Sequence, residues 1–77
     1  MVLERLKDII YEVLNISPSD IYEDSKFNDD LKADSIDIAQ ILVGIENEFG
    51  ITIDEDEVEE IETVGDAVER IESKLNQ

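Results

Sequence analysis

Apolar residues recur at helical spacing in three stretches of the chain. In residues 2–14, Leu3, Leu6, Ile10, Val13 and Leu14 share one face, while Glu4, Arg5, Lys7, Asp8 and Glu12 lie mostly elsewhere. A first helix is predicted here. Its end falls near Asn15, ahead of Ser17-Pro18, because the residue before a proline resists the α region. The clearest stripe is Ile38, Ile41, Leu42, Ile45 and Phe49, at offsets 0, 3, 4, 7 and 11, and predicts a helix over 35–49. Asp34 is a suitable N-cap for it, Asp37 completes a box-like pair three residues on, and Gly50 suits the position just past its end. Val64, Ala67, Val68, Ile71 and Leu75 repeat the same offsets in a last helix, with Thr63 as cap and Asp66 as its partner.

Between these stretches the pattern weakens. Residues 16–33 form a long connection whose apolar residues (Ile16, Ile21, Tyr22, Phe27, Leu31) lack a period and are expected to pin it onto the helices. Ser17-Pro18-Ser19-Asp20 can start a single helical turn, with proline at its first position. Ile51-Thr52-Ile53 reads as a short extended connector. Asp54 then starts a short helix over about 55–61, with Val58 and Ile61 facing inward. The expected fold is all-α: a small four-helix bundle of three longer helices and one short one, with a long first loop.

Composition narrows the chemistry. The 77 residues allow one domain, which must close a compact core, and twelve Ile supply material for it. There is no Cys, His or Trp. A thiolate nucleophile, a Ser-His pair and the usual zinc and copper sites are therefore not available, and no metal site is expected. No organised acid–base pair marks a substrate pocket, so the chain does not read as an enzyme. Any reactive group must come from a cofactor or a partner.

The net charge is -16, from 22 acidic and 6 basic residues. Such a surface disfavours nucleic acid and anionic membranes and attracts basic proteins. Residues 35–65 hold ten of the acids and no Lys or Arg. No uninterrupted apolar run reads as a signal peptide or a membrane span, and a cytoplasmic, monomeric protein without membrane insertion is expected. Within helix 35–49, Ile36 and Val43 lie about 140–160° from Ile38 on a helical wheel. They form an exposed apolar pair, flanked by Asp37, Glu46 and Glu48. Ser35 opens that helix directly after the Asp34 cap, at the positive end of its dipole, which tolerates a phosphate.

Residues 27–37 read Phe-Asn-Asp-Asp-Leu-Lys-Ala-Asp-Ser-Ile-Asp. This resembles the phosphopantetheine attachment motif of acyl carrier proteins, Asp-Leu-Gly-Ala-Asp-Ser-Leu-Asp. The likeness continues through Glu48-Phe49-Gly50-Ile51-Thr52-Ile53, the acidic short helix and Thr63-Val64-Gly65-Asp66-Ala67-Val68. It covers residues 1–77 as a single acyl-carrier domain. The resemblance implies that Ser35 carries 4′-phosphopantetheine, derived from coenzyme A and transferred by a phosphopantetheinyl transferase. The thiol of that arm would hold growing acyl chains as thioesters for fatty acid synthesis enzymes with basic docking patches. It further implies that Asp34, Ile36, Asp37, Val43, Glu46 and Glu48 meet those partners, and that the Ile- and Val-rich stripes shelter the chain.

The sequence departs from the motif at Lys32, which stands where Gly is usual. If that position has positive φ, Lys bears strain of about 1 kcal/mol. Ile36 and Val43 also replace the frequent Leu and Met, and Gln40 stands where an acid is common. A carrier for a polyketide, aminoacyl or specialised lipid chain is an alternative within the family. An acidic protein-binding or divalent-cation-binding domain is an alternative outside it. A true calcium loop starting at Asp54 is disfavoured, because it would need Gly where Glu59 stands and Glu where Gly65 stands.

Overall fold

Four helices and one 3-10 turn make up the computed structural model, which describes residues 1–76. The helices are α1 (Val2–Leu14), α2 (Ser35–Phe49), α3 (Glu55–Glu59) and α4 (Val64–Leu75), with the turn at Pro18–Asp20. The bundle measures 30 × 24 × 20 Å. Helix α1 packs on both α2 and α4.

Helix boundaries follow local chemistry. Asn15 ends α1 in the left-handed conformation at φ 60°, which Asn tolerates better than most residues. Gly50 ends α2 in the same way at φ 67°. At the start of α2 the Asp34 carboxylate accepts from the Asp37 N–H at 2.9 Å, and Asp37 accepts from the Asp34 N–H at 3.2 Å. Thr63 and Asp66 repeat this reciprocal pairing at α4. Helix α3 is shorter than expected and stops at Glu59. Ile61 lies beyond it and still packs partly against the core. The well-formed bond at the start of α3 runs from the Asp54 N–H to the Glu57 carboxylate, at 2.9 Å.

The core gathers Leu6 and Ile10 of α1, Ile41, Ile45 and Phe49 of α2, and Val64, Ala67 and Ile71 of α4. Ile38, at the head of the expected α2 stripe, is only half-buried, as is Leu42. Leu75, the last residue of α4, is exposed. Ile53 of the connector is buried, and its N–H donates to the Glu46 carboxylate at 2.9 Å.

Most of the loop 15–34 is fixed as expected, with Ile21, Phe27, Leu31 and Ala33 buried. Tyr22 is the exception. It is exposed, and its backbone N–H donates instead to the buried Ser25 hydroxyl at 2.9 Å. Residues 23–27 run antiparallel to 62–65, joined by a single bridge between Lys26 and Thr63. There the carbonyls of Ser25 and Glu23 accept the Val64 and Gly65 N–H groups, at 2.9 and 2.8 Å. Two of the free N–H groups that open α4 are thus satisfied by the loop. The approach is close enough that a Cβ on Gly65 would lie 3.1 Å from the Glu23 carbonyl oxygen.

Candidate functional site

Ser35 is the first residue of α2, and it is exposed. The capping bonds of α2 are made by Asp34 and Asp37, so the Ser35 hydroxyl is not committed to starting the helix. Beside it lies a shallow, mainly apolar groove lined by Ile36, Ala39, Gln40 and Val43. Ile36 and Val43 are 69% and 56% exposed, which makes them the prominent uncovered apolar side chains of α2. The structure therefore brings Ser35, Ile36 and Val43 together on one open face.

The four acids around this face have internal duties that the sequence pattern did not reveal. Asp34 and Asp37 cap α2. Glu46 holds the Ile53 N–H. Glu48 pairs with Arg5 of α1 at 2.8 Å, and the same guanidinium donates to the Glu48 carbonyl at 3.0 Å. Arg5 also lies over the Phe49 ring, 4.3 Å from its centre. Helix α2 has no basic residue in its last turn, and Arg5 supplies the missing charge from another helix. These pairings do not remove the acids' charge from the face, but they orient it.

Behind the face, α2 meets α3 and α4 at a small apolar cavity of about 30 Å³. Phe27, Ile38, Leu42, Val58, Ile61 and Ala67 are among its walls. This is about the liquid-volume share of one water molecule, so an acyl chain enters only if the walls part. Helix α3 forms one wall and is tied down by charge. Glu57 lies 2.9 Å from the Lys74 ammonium and 3.3 Å from the Arg70 guanidinium, and Arg70 also reaches Glu60 at 3.1 Å. The Lys74 hydrogen bond, with help from the Asp54 N–H, holds the Glu57 carboxyl below its ordinary value. Asp66 is lowered likewise by the Thr63 and Glu62 N–H groups. The sequence showed neither ion pair of Glu57, because Arg70 and Lys74 lie 13 and 17 residues away.

Lys32 adopts φ 59°, the left-handed conformation expected if this position suits glycine. A larger open groove, between the start of α1 and α4, includes no α2 residue. Among the described residues no group of three or more acidic side chains is gathered to hold a metal ion. Among them, too, no helix is long and apolar enough to cross a membrane.

The chain is similar to known proteins along nearly its whole length. The family described as "Phosphopantetheine attachment site" matches residues 4–71. The acyl carrier protein of Sulfurovum sp. (strain NBC37-1) is 43% identical over 72 residues, covering 94% of this chain and 96% of that protein. The acyl carrier protein of Wolinella succinogenes is 40% identical over 72 residues, covering 94% and 95%. A solved structure of the acyl carrier protein from Enterococcus faecalis superposes with a TM-score of 0.79 at 37% identity, covering 95% of this chain and 92% of that one.

Proposed function

This chain belongs to the acyl carrier proteins, and from that premise we propose that Ser35 is the residue that bears its 4′-phosphopantetheine arm. The protein is a carrier of acyl chains for fatty acid synthesis. The arm supplies a terminal thiol, which this Cys-free chain lacks, and holds acyl groups there as thioesters. The observation that carries the assignment is the Ser35 hydroxyl itself: exposed at the first position of α2 and spared from capping by Asp34 and Asp37.

The remaining residues divide the work. Asp34 and Asp37 fix the start of α2 and so hold Ser35 outward. Ile36 and Val43 supply apolar contact to docking enzymes, among them a phosphopantetheinyl transferase. Asp37, Glu46 and Glu48 add the negative field that steers basic patches toward Ser35. The cavity walled by Ile38, Leu42, Val58 and Ile61 receives the chain once α3 shifts. The chain acts as one domain, as a monomer in the cytoplasm, and supplies no catalytic group of its own.

Incubation with coenzyme A and a phosphopantetheinyl transferase, followed by intact mass measurement, tests the assignment. The expected result is a gain of one phosphopantetheine that Ser35→Ala abolishes. An equal gain in Ser35→Ala overturns it.

A further inference from the structure

The basic residue nearest Ser35 in the chain is Lys32, the sole Lys or Arg within residues 27–69. Among the described residues, Arg5, Lys26, Arg70 and Lys74 are all committed to carboxylates. Lys32 is exposed and pairs with none of them. It stays unpaired although Asp34 and Asp37 are close in sequence, because both of those carboxylates are turned to backbone N–H groups at the start of α2.

Lys32 also sits where the backbone disfavours it. At φ 59° the Cβ of an L-residue crowds the following carbonyl oxygen, a strain that Gly escapes. The other non-glycine residue at positive φ is Asn15, a type that tolerates this conformation. A cation here also opposes the docking of basic partners at the neighbouring face. Its position favours something of the opposite sign. A phosphodiester on Ser35 is such a group. It would stand beside Asp34 and Asp37, in a chain of net charge -16, and needs a local counter-charge. The backbone between Lys32 and Ser35 spans at most about 10 Å, and lysine carries a mobile point charge on a flexible stem.

We propose that Lys32 is a positioning residue for the arm: its ammonium pairs with the phosphodiester at Ser35 and restrains the root of the arm on the α2 face. The inference rests on attachment at Ser35.

The test is ³¹P NMR of the arm-bearing protein from about 0.01 M to about 1 M salt, over which the screening length falls from about 30 Å to about 3 Å. The wild-type phosphodiester resonance is expected to move as salt dissolves the pair. Lys32→Gln and Lys32→Gly are expected to start near the wild-type high-salt position and lose that response. Lys32→Arg retains it, and Lys7→Gln behaves as wild type. Lys32→Gly relieves the backbone strain, and an unchanged circular dichroism spectrum with a melt no lower than wild type separates its loss of response from misfolding. A Lys32→Gln resonance that tracks wild type at every salt concentration overturns the role of Lys32 alone. A protein that gains no phosphodiester, or gains it equally in Ser35→Ala, overturns the attachment at Ser35 and this inference with it.

Discussion

The Lys74 ammonium of α4 lies 2.9 Å from the Glu57 carboxylate of α3, tying a five-residue helix to one of twelve. Glu57 has a folded-state value lowered from 4.5, first by this contact. A depressed carboxylate contributes stability that is fully present above its unfolded value and is lost as pH falls through the folded one. Glu57→Gln should therefore destabilise the protein at neutral pH. Its deficit against wild type should shrink as pH drops below about 4.5. Paired thermal melts across pH 3–7 check this; a deficit independent of pH would refute it. Differences are the right quantity, because acid also relieves repulsion among the other carboxylates.

Gly44 permits the close crossing of α1 and α2. A Cβ there would lie 2.8 Å from Ile9 Cγ2. Gly44→Ala gains roughly 1 kcal/mol in helix propensity and loses about 1–3 kcal/mol to overpacking. The clash should win, giving net destabilisation of about 1 kcal/mol. In an Ile9→Ala background the same change should become neutral or stabilising. A denaturant double-mutant cycle measures the coupling.

Lys32→Gly should stabilise the fold by about 1 kcal/mol, because it releases a left-handed lysine. Asn15→Gly, at nearly the same φ, should gain less. Equal gains from urea unfolding would show that the strain at Lys32 is not specific to its residue type.

Docking on the Ser35 face is best probed through Ile36 and Val43. Reversing Asp37 would break the α2 cap, and reversing Glu48 would release Arg5, so either change confounds docking with folding. Ile36→Ser with Val43→Ser alters exposed residues and should leave the melting temperature unchanged. It should slow phosphopantetheine transfer roughly tenfold or more, since burying each such side chain contributes about 1.5–3 kcal/mol. Unchanged transfer would place the docking contact elsewhere.

Added salt should raise the melting temperature. Screening weakens both the ion pairs and the repulsion of a -16 chain. The pairs Arg5–Glu48, Lys26–Glu62 and Arg70–Glu60 are largely exposed and contribute about 0–1 kcal/mol each; the two at Glu57 are more enclosed, but relief of repulsion across the whole chain dominates. A melting temperature that falls between low and high salt would show that the pairs around Glu57 and Arg5 matter more.

Much of this protein was legible in one dimension because helices are local objects. The spacing of Ile41, Ile45 and Phe49, the reciprocal caps at Asp34 and Thr63, and Gly50 after Phe49 each act over a few residues. The exposure of Ser35, Ile36 and Val43 was readable for the same reason, whereas the role given to Ser35 came from the resemblance of residues 27–37. The short helix ran less far than the sequence pattern suggested. Ile61 is held by packing, which the pattern could not separate from helical continuation.

The sequence by itself determined three amphipathic helices, one short one, their caps, the acidic face and the serine at its edge, since all rest on contacts within about four residues. Only the tertiary structure decided how the charges are spent. It brought Arg5 to the end of α2, Lys74 to Glu57, and Glu46 to the Ile53 N–H, while leaving Lys32 unpaired near Ser35. Such pairings depend on where whole helices cross, and no periodicity along the chain encodes that.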